Sequence, residues 1–322
     1  MIHAHSLGRA ARHYPERIAL ASATARLTFP QLHARVAAIA AALARDGFRA
    51  GDRLALLLRN ETEYLELVHA RVGSCGLSDE EDVMNHLLES VLEAHGGIQR
   101  WNQFNAVSAT IVTGGGLWAL KGLIQDPAPR QMSASLHEEI ASVAPFGQPN
   151  WRTSFRPERV AIETMDGQVV RERMDPRQAF AGHTMNTPWD PLHRAYFNGY
   201  ALWTYLTTPF FMVMPGFEVS EIEPIEEGAE QWRGLRVKFP KHIASHCDEQ
   251  DFYFGDDFLL RRHDYQVDVA GSFPAAQYVD GMLSAQGLKM PTRRRAYVRG
   301  PDLRPVRDLL MVAIDLSGYV FA

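Results

Sequence analysis

Residues 189–217 read WDPLHRAYFNGYALWTYLTTPFFMVMPGF, and this stretch decides the fold. It holds nine aromatic residues: Trp189, Tyr196, Phe197, Tyr200, Trp203, Tyr205, Phe210, Phe211 and Phe217. Between Pro191 and Leu206, apolar groups recur at Leu192, Tyr196, Tyr200 and Trp203, the spacing of one helix face. Phe197, Leu202 and Tyr205 widen that face until the helix is apolar over much of its circumference. Such a helix has to be enclosed. Asp190 reads as its N-cap, ahead of Pro191 at the first helical position.

The enclosure is expected to be a curved antiparallel sheet, because the segments behind the helix read as strands. These are 217–225, 232–239, 241–247, 250–254, 258–269, 293–299 and 309–321, at meander spacing, with turns at 255–257 and 300–302. Ahead of the helix, 159–164 and 168–173 flank Met165-Asp166-Gly167 and predict a hairpin with an Asp-Gly turn. Residues 106–112 and 116–122 are further strand-like runs. Residues 126–150 carry no strong period; Leu136, Ile140 and Val143 suit a strand or a helical turn. A helix precedes all of these. Ser78 with Asp79, Glu80 and Glu81 makes a capping box, the helix runs to His95 along Val83, Leu87, Val91 and Ala94, and Gly96-Gly97 ends it. It opens the second of two domains, 77–322, of α+β class: a large curved antiparallel sheet, a half-barrel, wrapped around helices.

The first domain, 1–76, has a different grammar. Residues 18–24 and 27–29 read as strands. A helix entered at Pro30 places Leu32, Val36, Ile39, Ala40 and Leu43 on one face and ends at Gly47. A Gly51-Asp52 turn leads to a buried strand at 53–58, and Asn60 caps a helix over 61–73. This β-α-β-α order usually implies a parallel sheet. The residues Pro15-Glu16-Arg17-Ile18-Ala19-Leu20, Leu27-Thr28-Phe29 with Leu32, Gly47, Gly51-Asp52-Arg53 and Asn60 resemble the opening of acyl-CoA synthetases and related adenylate-forming enzymes, over about 7–74. That family's chemistry needs a Ser/Thr/Gly-rich phosphate loop ending in Pro-Lys-Gly, an acidic residue for magnesium and a C-terminal lysine. The sequence has none of these, and its glycine run, Gly114-Gly115-Gly116, continues into Leu117-Trp118 rather than Lys-Ser/Thr. Adenylation is therefore not expected. The segment reads as a truncated fragment, a fusion remnant whose apolar faces call for a protein partner over 1–76.

A helix, strands, an aromatic helix and a long meander, over 78–322, resemble the lipoprotein-carrier (LolA-like) half-barrel. The phrases AHGGIQRW, WDPLHRAYFNGYALW, RRHDY and PTRRRAY also resemble a bacterial family of uncharacterised proteins, which transfers no function. The carrier resemblance implies an apolar cavity that accepts a hydrophobic small molecule or acyl chain. Trp118, Tyr196, Tyr200, Trp203, Phe210 and Tyr265 are its expected lining, with Arg261, His263, Arg293 and Arg295 as polar groups at the mouth. The aromatic residues would equally serve as plain core, and both roles can hold together.

On a strand, His242 and His246 share a face but lie roughly 13 Å apart, too far to chelate one metal ion. His263 and Asp264 resemble a catalytic dyad but point to opposite faces of a strand, His263 with Arg261 inward and Asp264 to solvent; a core histidine bonded to a neighbouring strand is the favoured reading. Arg293 and Arg295 share a face with Tyr297 and would either grip an anionic head group or ladder against Asp or Glu on the adjacent strand. An enzyme using His183, His193, His242, His246 or His263 is the competing class, and it requires two of them to converge on one pocket with a third residue orienting one. No Gly-x-Ser-x-Gly elbow occurs. No metal or cofactor is expected. With 322 residues and a net charge of −5, a basic nucleic-acid or anionic-membrane surface is not expected either. Two cysteines, Cys75 and Cys247, imply no disulfide framework. The opening residues lack a basic region followed by an apolar run, so a cytoplasmic location is the expectation.

Overall fold

The computed structural model describes residues 11, 14–21, 26–47 and 79–322. It divides into two compact units, 1–82 and 83–322. In the first, strands β1 (Ile18–Ala21) and β2 (Arg26–Thr28) pair antiparallel, and helix α1 (Phe29–Arg45) packs on them. Leu32 and Val36 are its buried pair, against Ala19, Leu20, Leu27 and Phe29. The helix thus appears where its apolar period predicts, while the two strands make a hairpin. The expected strand at 53–58, the helix at 61–73, Cys75 and the capping residue Ser78 lie outside the described residues.

The second unit begins within α2 (Asp79–Ala94), which is followed by the short α3 (Ile98–Trp101). Thirteen strands follow in one antiparallel sheet. Those before the central helix are β3 (Ala106–Gly114), β4 (Arg130–Ser135), β5 (Ala141–Ala144), β6 (Trp151–Arg156), β7 (Arg159–Thr164) and β8 (Val169–Met174). Those after it are β9 (Glu218–Glu227), β10 (Glu230–Lys238), β11 (Glu249–Phe254), β12 (Leu260–Val267), β13 (Phe273–Ala285), β14 (Leu288–Arg299) and β15 (Pro305–Phe321). The spatial order is β8-β7-β6-β5-β4-β3-β15-β14-β13-β12-β11-β10-β9. Each half is a meander, and the halves join where the last strand pairs with the first, Asp315 opposite Val112. The two edges, β8 and β9, do not pair with each other, so the sheet is open. Pro224 and a run of glutamates suit β9 to an edge, since proline offers no ladder donor and charge discourages further pairing.

The chain leaves the sheet at one edge and re-enters at the other, and helix α5 (Pro191–Thr207) lies between them. A turn of four residues, α4 (Leu117–Leu120), precedes it in the chain. Asp190 caps α5 through His193 N (2.8 Å), and His193 Nδ1 accepts from Asp190 N (3.1 Å), a reciprocal pair that satisfies two orphan amides. Every residue from Leu192 to Thr207 is buried except Arg194. A helix buried on all sides belongs in a core, as its composition predicts. Tyr196, Tyr200 and Trp203 join Leu87, Val91, Ile111, Phe155, Phe252 and Leu316 in one continuous apolar cluster.

Three segments depart from the reading of the sequence. Residues 241–247 are a loop rather than a strand. Pro240 cannot donate to a ladder, and Phe239 N donates to Asp248 O (2.8 Å), closing the loop above the Lys238–Glu249 pair. Residues 117–120 are helical rather than extended. Gly115 ends β3 at φ +98°, where its backbone presses on Met311 and any Cβ would collide. Finally β13 goes unmarked in the sequence, because FPAAQYVDGMLSA holds few β-branched residues; ladders to β12 and β14 on either side make it a strand.

Gly199 shows how closely α5 is held. A Cβ there would overlap the ring of Phe155, itself fully buried on β6. Alanine raises helix propensity by about 1 kcal/mol over glycine, but a collision at the root of an aromatic side chain costs more, commonly 1–3 kcal/mol, roughly, or beyond. Gly199→Ala is therefore expected to lower unfolding stability by about 2 kcal/mol in urea titrations followed by tryptophan fluorescence, with partial recovery on adding Phe155→Leu. An unchanged or raised midpoint would show that the helix has room at this point.

Candidate functional site

The interior beneath α5 is filled. Trp118, Tyr196, Tyr200, Trp203, Phe210 and Tyr265 are each at most 4 % exposed and pack ring against ring. Trp118 meets Phe197 edge-on (5.8 Å), and Tyr196 meets Phe155 (5.6 Å) and Tyr200 (5.4 Å). Space opens instead at the N-terminal end of the helix. There a cleft of about 650 Å³ is walled by Leu123, Ile124, Pro145, Phe146, Pro149 and Pro191, with Arg130 and Arg194 at one side. Ile124 is 86 % exposed, and the neighbouring Leu123 packs against the core.

Arg194, one turn into α5 from Pro191, brings a cation to this cleft. Its guanidinium lies 4.5 Å over the Trp118 ring, and Nη1 donates to the Ile124 carbonyl (3.0 Å). Its Nε and Nη2 are buried and find no partner among the described residues. Burial pulls its pKa down to about 10, with Arg130 adding to the effect. Arg130, on β4, donates Nη2 to Thr113 Oγ1 (2.6 Å) and leaves Nε without a partner. The sequence signal for Arg194 was available, a cation inside an otherwise apolar helix. Arg130 and Phe146 come from the stretch without a period, 126–150, and Ile124 from just before it, where nothing marks them.

A second arrangement is polar and interior. Tyr205 Oη bonds His246 Nε2 (2.9 Å) and Tyr265 Oη (3.1 Å), and Gln277 Nε2 donates to Tyr265 Oη (3.3 Å). Arg294 donates Nη1 to Gln277 Oε1 (2.8 Å) and Nη2 to the carbonyl of Tyr205 (2.9 Å). His263 Nε2 donates to Gln250 Oε1 (2.7 Å), and its ring stacks on Phe252 at 4.1 Å. His263 is thus a core histidine bonded to the neighbouring strand β11. His246 and His263 do converge, with ring centroids 6.5 Å apart. All of these groups are at most 4 % exposed, so they stabilise a buried seam rather than present reagents to a ligand.

The remaining candidates lie away from this seam. His242 is exposed, in the loop that buries His246, and lines a polar cleft of about 210 Å³ with Arg177 and Lys241. His183 and His193 approach to 5.0 Å beside Asp190, whose carboxylate also holds Arg173 Nη2 (2.6 Å). Near them Lys121 is fully buried, its Nζ on Thr184 O (2.9 Å) and 4.7 Å over Trp189; burial lowers its pKa to about 8. Asp264 corrects the sequence reading. It is 3 % exposed, clamped by Arg262 (2.7 Å) and Arg299 (2.7 Å), because three charges gathered on the sheet's outer face cover one another. Arg261 pairs with Asp257 (2.7 Å). Arg293 and Arg295 lie on the outer face, laddered to Asp280 and Asp315; Arg294 between them points inward. Among the described residues, no cluster of His, Cys, Asp and Glu has metal-binding geometry, and Cys247 is a buried free thiol. Among the same residues, no helix is long and apolar enough to cross a membrane.

The second unit is therefore an open antiparallel sheet closed around a buried helix, of α+β class. Comparisons agree with both resemblances read from the sequence. The family model described as AMP-binding enzyme matches residues 7–73. No curated protein matches the chain. Among solved structures, a LolA superfamily protein from Nitrosomonas europaea is similar at 13 % identity and a TM-score of 0.43, over 73 % of this chain and 93 % of its own. A domain assigned to outer-membrane lipoprotein sorting from Vibrio parahaemolyticus is similar at 7 % identity and 0.45, over 74 % and 92 %. A DUF1329 family protein from Desulfovibrio piger gives 9 % and 0.41, over 74 % and 92 %. These likenesses are loose, and the architecture stands on the strand order itself.

The buried imidazoles set an acid limit. Burial lowers the pKa of His246 to about 3 and of His95 to about 4, and that of His263 well below its ordinary value. The unfolded chain protonates each below about pH 6.5, and the folded chain does not until far lower. Their contribution is complete above about pH 6.5 and is lost as pH falls, at about 1.4 kcal/mol per pH unit per histidine. Glu139 opposes one of them: burial raises its carboxyl well above the ordinary value, so the folded state keeps a proton that the unfolded state releases. Stability is expected to fall between pH 7 and pH 5, and His246→Gln to flatten that dependence by about one proton. An unaltered slope in the variant would mean that His246 is not held neutral.

Proposed function

We propose that the chain binds a hydrophobic or acyl-bearing small molecule, in the apolar cleft at the N-terminal end of α5 rather than beneath the helix. One observation carries this reading: a cleft of about 650 Å³ with apolar walls and a solvent-exposed Ile124 at its rim. Small-molecule sites typically measure about 300–1,000 Å³ and are lined mainly by apolar groups with a few polar ones. Pro145, Pro149 and Pro191 stiffen the walls, so little conformational freedom is lost on binding. The flooded alternative, a chain lying along the helix inside the sheet, conflicts with the packed aromatic interior. Acid–base chemistry by histidine fits less well, because the His246–His263 pair is sealed, the exposed His242 stands apart from it, and in the His183–His193 pair both ring nitrogens of His193 are committed to backbone, at Asp190 N and Ala179 O. Adenylation has no support in the second unit, where Gly114 ends β3 and Gly116 precedes a four-residue helix instead of cradling phosphate.

Native mass spectrometry of the full chain is expected to show a co-purifying small molecule that organic solvent removes. Titration of the stripped protein with dodecanol, a neutral alkyl probe, is expected to give saturable binding. Ile124→Glu places a charge at the rim of the cleft and is expected to weaken that binding about tenfold with no loss of thermal stability, since the side chain is exposed. Absence of both an adduct and alkyl binding would end the proposal.

A further inference from the structure

Within the cleft just described, and resting on that reading, we infer that Arg194 and Arg130 form an anion clamp, so that the ligand is an amphiphile with a carboxylate-type head group. The argument starts from how this protein uses arginine elsewhere. Arg236 offers Nε and Nη2 together to Asp251 (2.8 and 3.0 Å), and Arg262 offers the same two nitrogens to Asp264 (2.7 and 2.7 Å). That side-on fork matches the two oxygens of a carboxylate, which is why it is strong and directional. Arg194 carries the same fork, buried, with both nitrogens lacking a partner among the described residues. Leaving charged donors desolvated and unmatched is costly, and a ligand oxyanion is the group that would remove the cost.

The surroundings favour an anion. Arg130 adds a second guanidinium, with its own Nε unpartnered, on the same wall of the cleft. One acidic group also lines the cleft, Asp126, whose Oδ1 accepts from Ala128 N (2.9 Å). The residue stands within electrostatic reach of both arginines but makes an ion pair with neither, leaving the cleft one positive charge in excess. Both arginines are weakened as cations by burial, which a bound anion would reverse. The positive end of α5 lies alongside, at Pro191. The Ile124 carbonyl holds Nη1, which fixes the guanidinium beside the cleft and leaves Nε and Nη2 for a head group. The apolar walls then receive the alkyl chain.

Calorimetric titration of the full chain with dodecanoate, dodecanol and acetate tests this. Dodecanoate is expected to bind at least about tenfold more tightly than dodecanol, and acetate, a head without a tail, to bind far more weakly than either. In Arg194→Leu the preference for dodecanoate over dodecanol is expected to disappear. Arg194→Lys, which keeps charge but not the fork, is expected to retain part of it, and it covers the case in which the leucine variant does not fold. Arg130→Gln is expected to reduce the preference by a smaller factor. Equal affinity for dodecanoate and dodecanol in the unaltered protein would overturn the clamp while leaving the cleft intact. Preference surviving in both Arg194 variants would overturn it as well. Binding of neither alkyl compound would remove the clamp and the cleft reading together.

Discussion

On one side of α5, Gly199 lies against Phe155 of β6; on the other, Tyr205 hydrogen-bonds His246 and Tyr265, the latter on β12. Those two strands are seven positions apart in the sheet order, which across a flat sheet is about 34 Å. A helix with its side chains is only about 10–12 Å across. Both contacts exist together only if the sheet curls around the helix. The topology supplies the reason for the helix to be there, since the chain must travel from edge β8 to edge β9, and the shortest sheltered route crosses the concave face. Curvature, the buried helix and the open edges are thus one constraint seen from three sides.

Enclosing a helix with tyrosines and threonines on its inner turns creates obligations. The hydroxyls of Thr204, Thr207 and Thr208 donate to carbonyls one turn earlier, at 2.6 to 3.0 Å, so they need nothing from outside the helix. Tyr205 cannot do this, and its hydroxyl recruits His246 from the β10–β11 loop. Arg294 reaches in from β14 to take the Tyr205 carbonyl, near the negative end of the helix, which is a favourable position for a cation without a carboxylate. The loop that carries His246 is itself fastened: Glu139 accepts from Ala244 N (2.8 Å) and Arg177 donates to Ser245 O (2.5 Å). Polar groups in this core therefore specify where one loop sits, and they do so at the expense of acid tolerance.

The helix was legible in the sequence because its apolar residues run all the way round, and its cap because Asp190-Pro191 is a strong local signal. Strands 159–164, 250–254 and 309–321 were legible from alternation and turn residues. What was illegible depends on partners distant in sequence. β13 is a strand because β12 and β14 flank it, and no property of Ala275, Ala276 or Gly281 announces that. Residues 241–247 alternate as a strand would, yet four consecutive residues, Ala244 to Cys247, are buried, since a loop laid against a helix has no period of two. Alternation also holds the answer that was overlooked at 293–295: if the flanking arginines face out, Arg294 must face in. Asp264 shows the complementary failure, for an outward-facing carboxylate becomes buried when Arg262 and Arg299 close over it.

The position of the apolar cleft follows from the same packing. A sheet curled tightly enough to grip a single aromatic helix leaves its middle full, because the rings of Tyr200, Trp203, Phe210 and Phe211 occupy the volume that an empty half-barrel would offer. Room persists where the helix stops supplying large side chains. Just past its C-terminal end Phe211 and Phe217 continue the aromatic packing onto Phe239 and Phe252, and Phe210 stacks on Trp101. At its N-terminal end the chain arrives through prolines and a polar loop, and Arg194 projects where an apolar residue would have sealed the gap. An arginine at that position costs stability unless something answers its charge. The Trp118 face and the Ile124 carbonyl answer part of it, and Nε and Nη2 remain without a partner among the described residues.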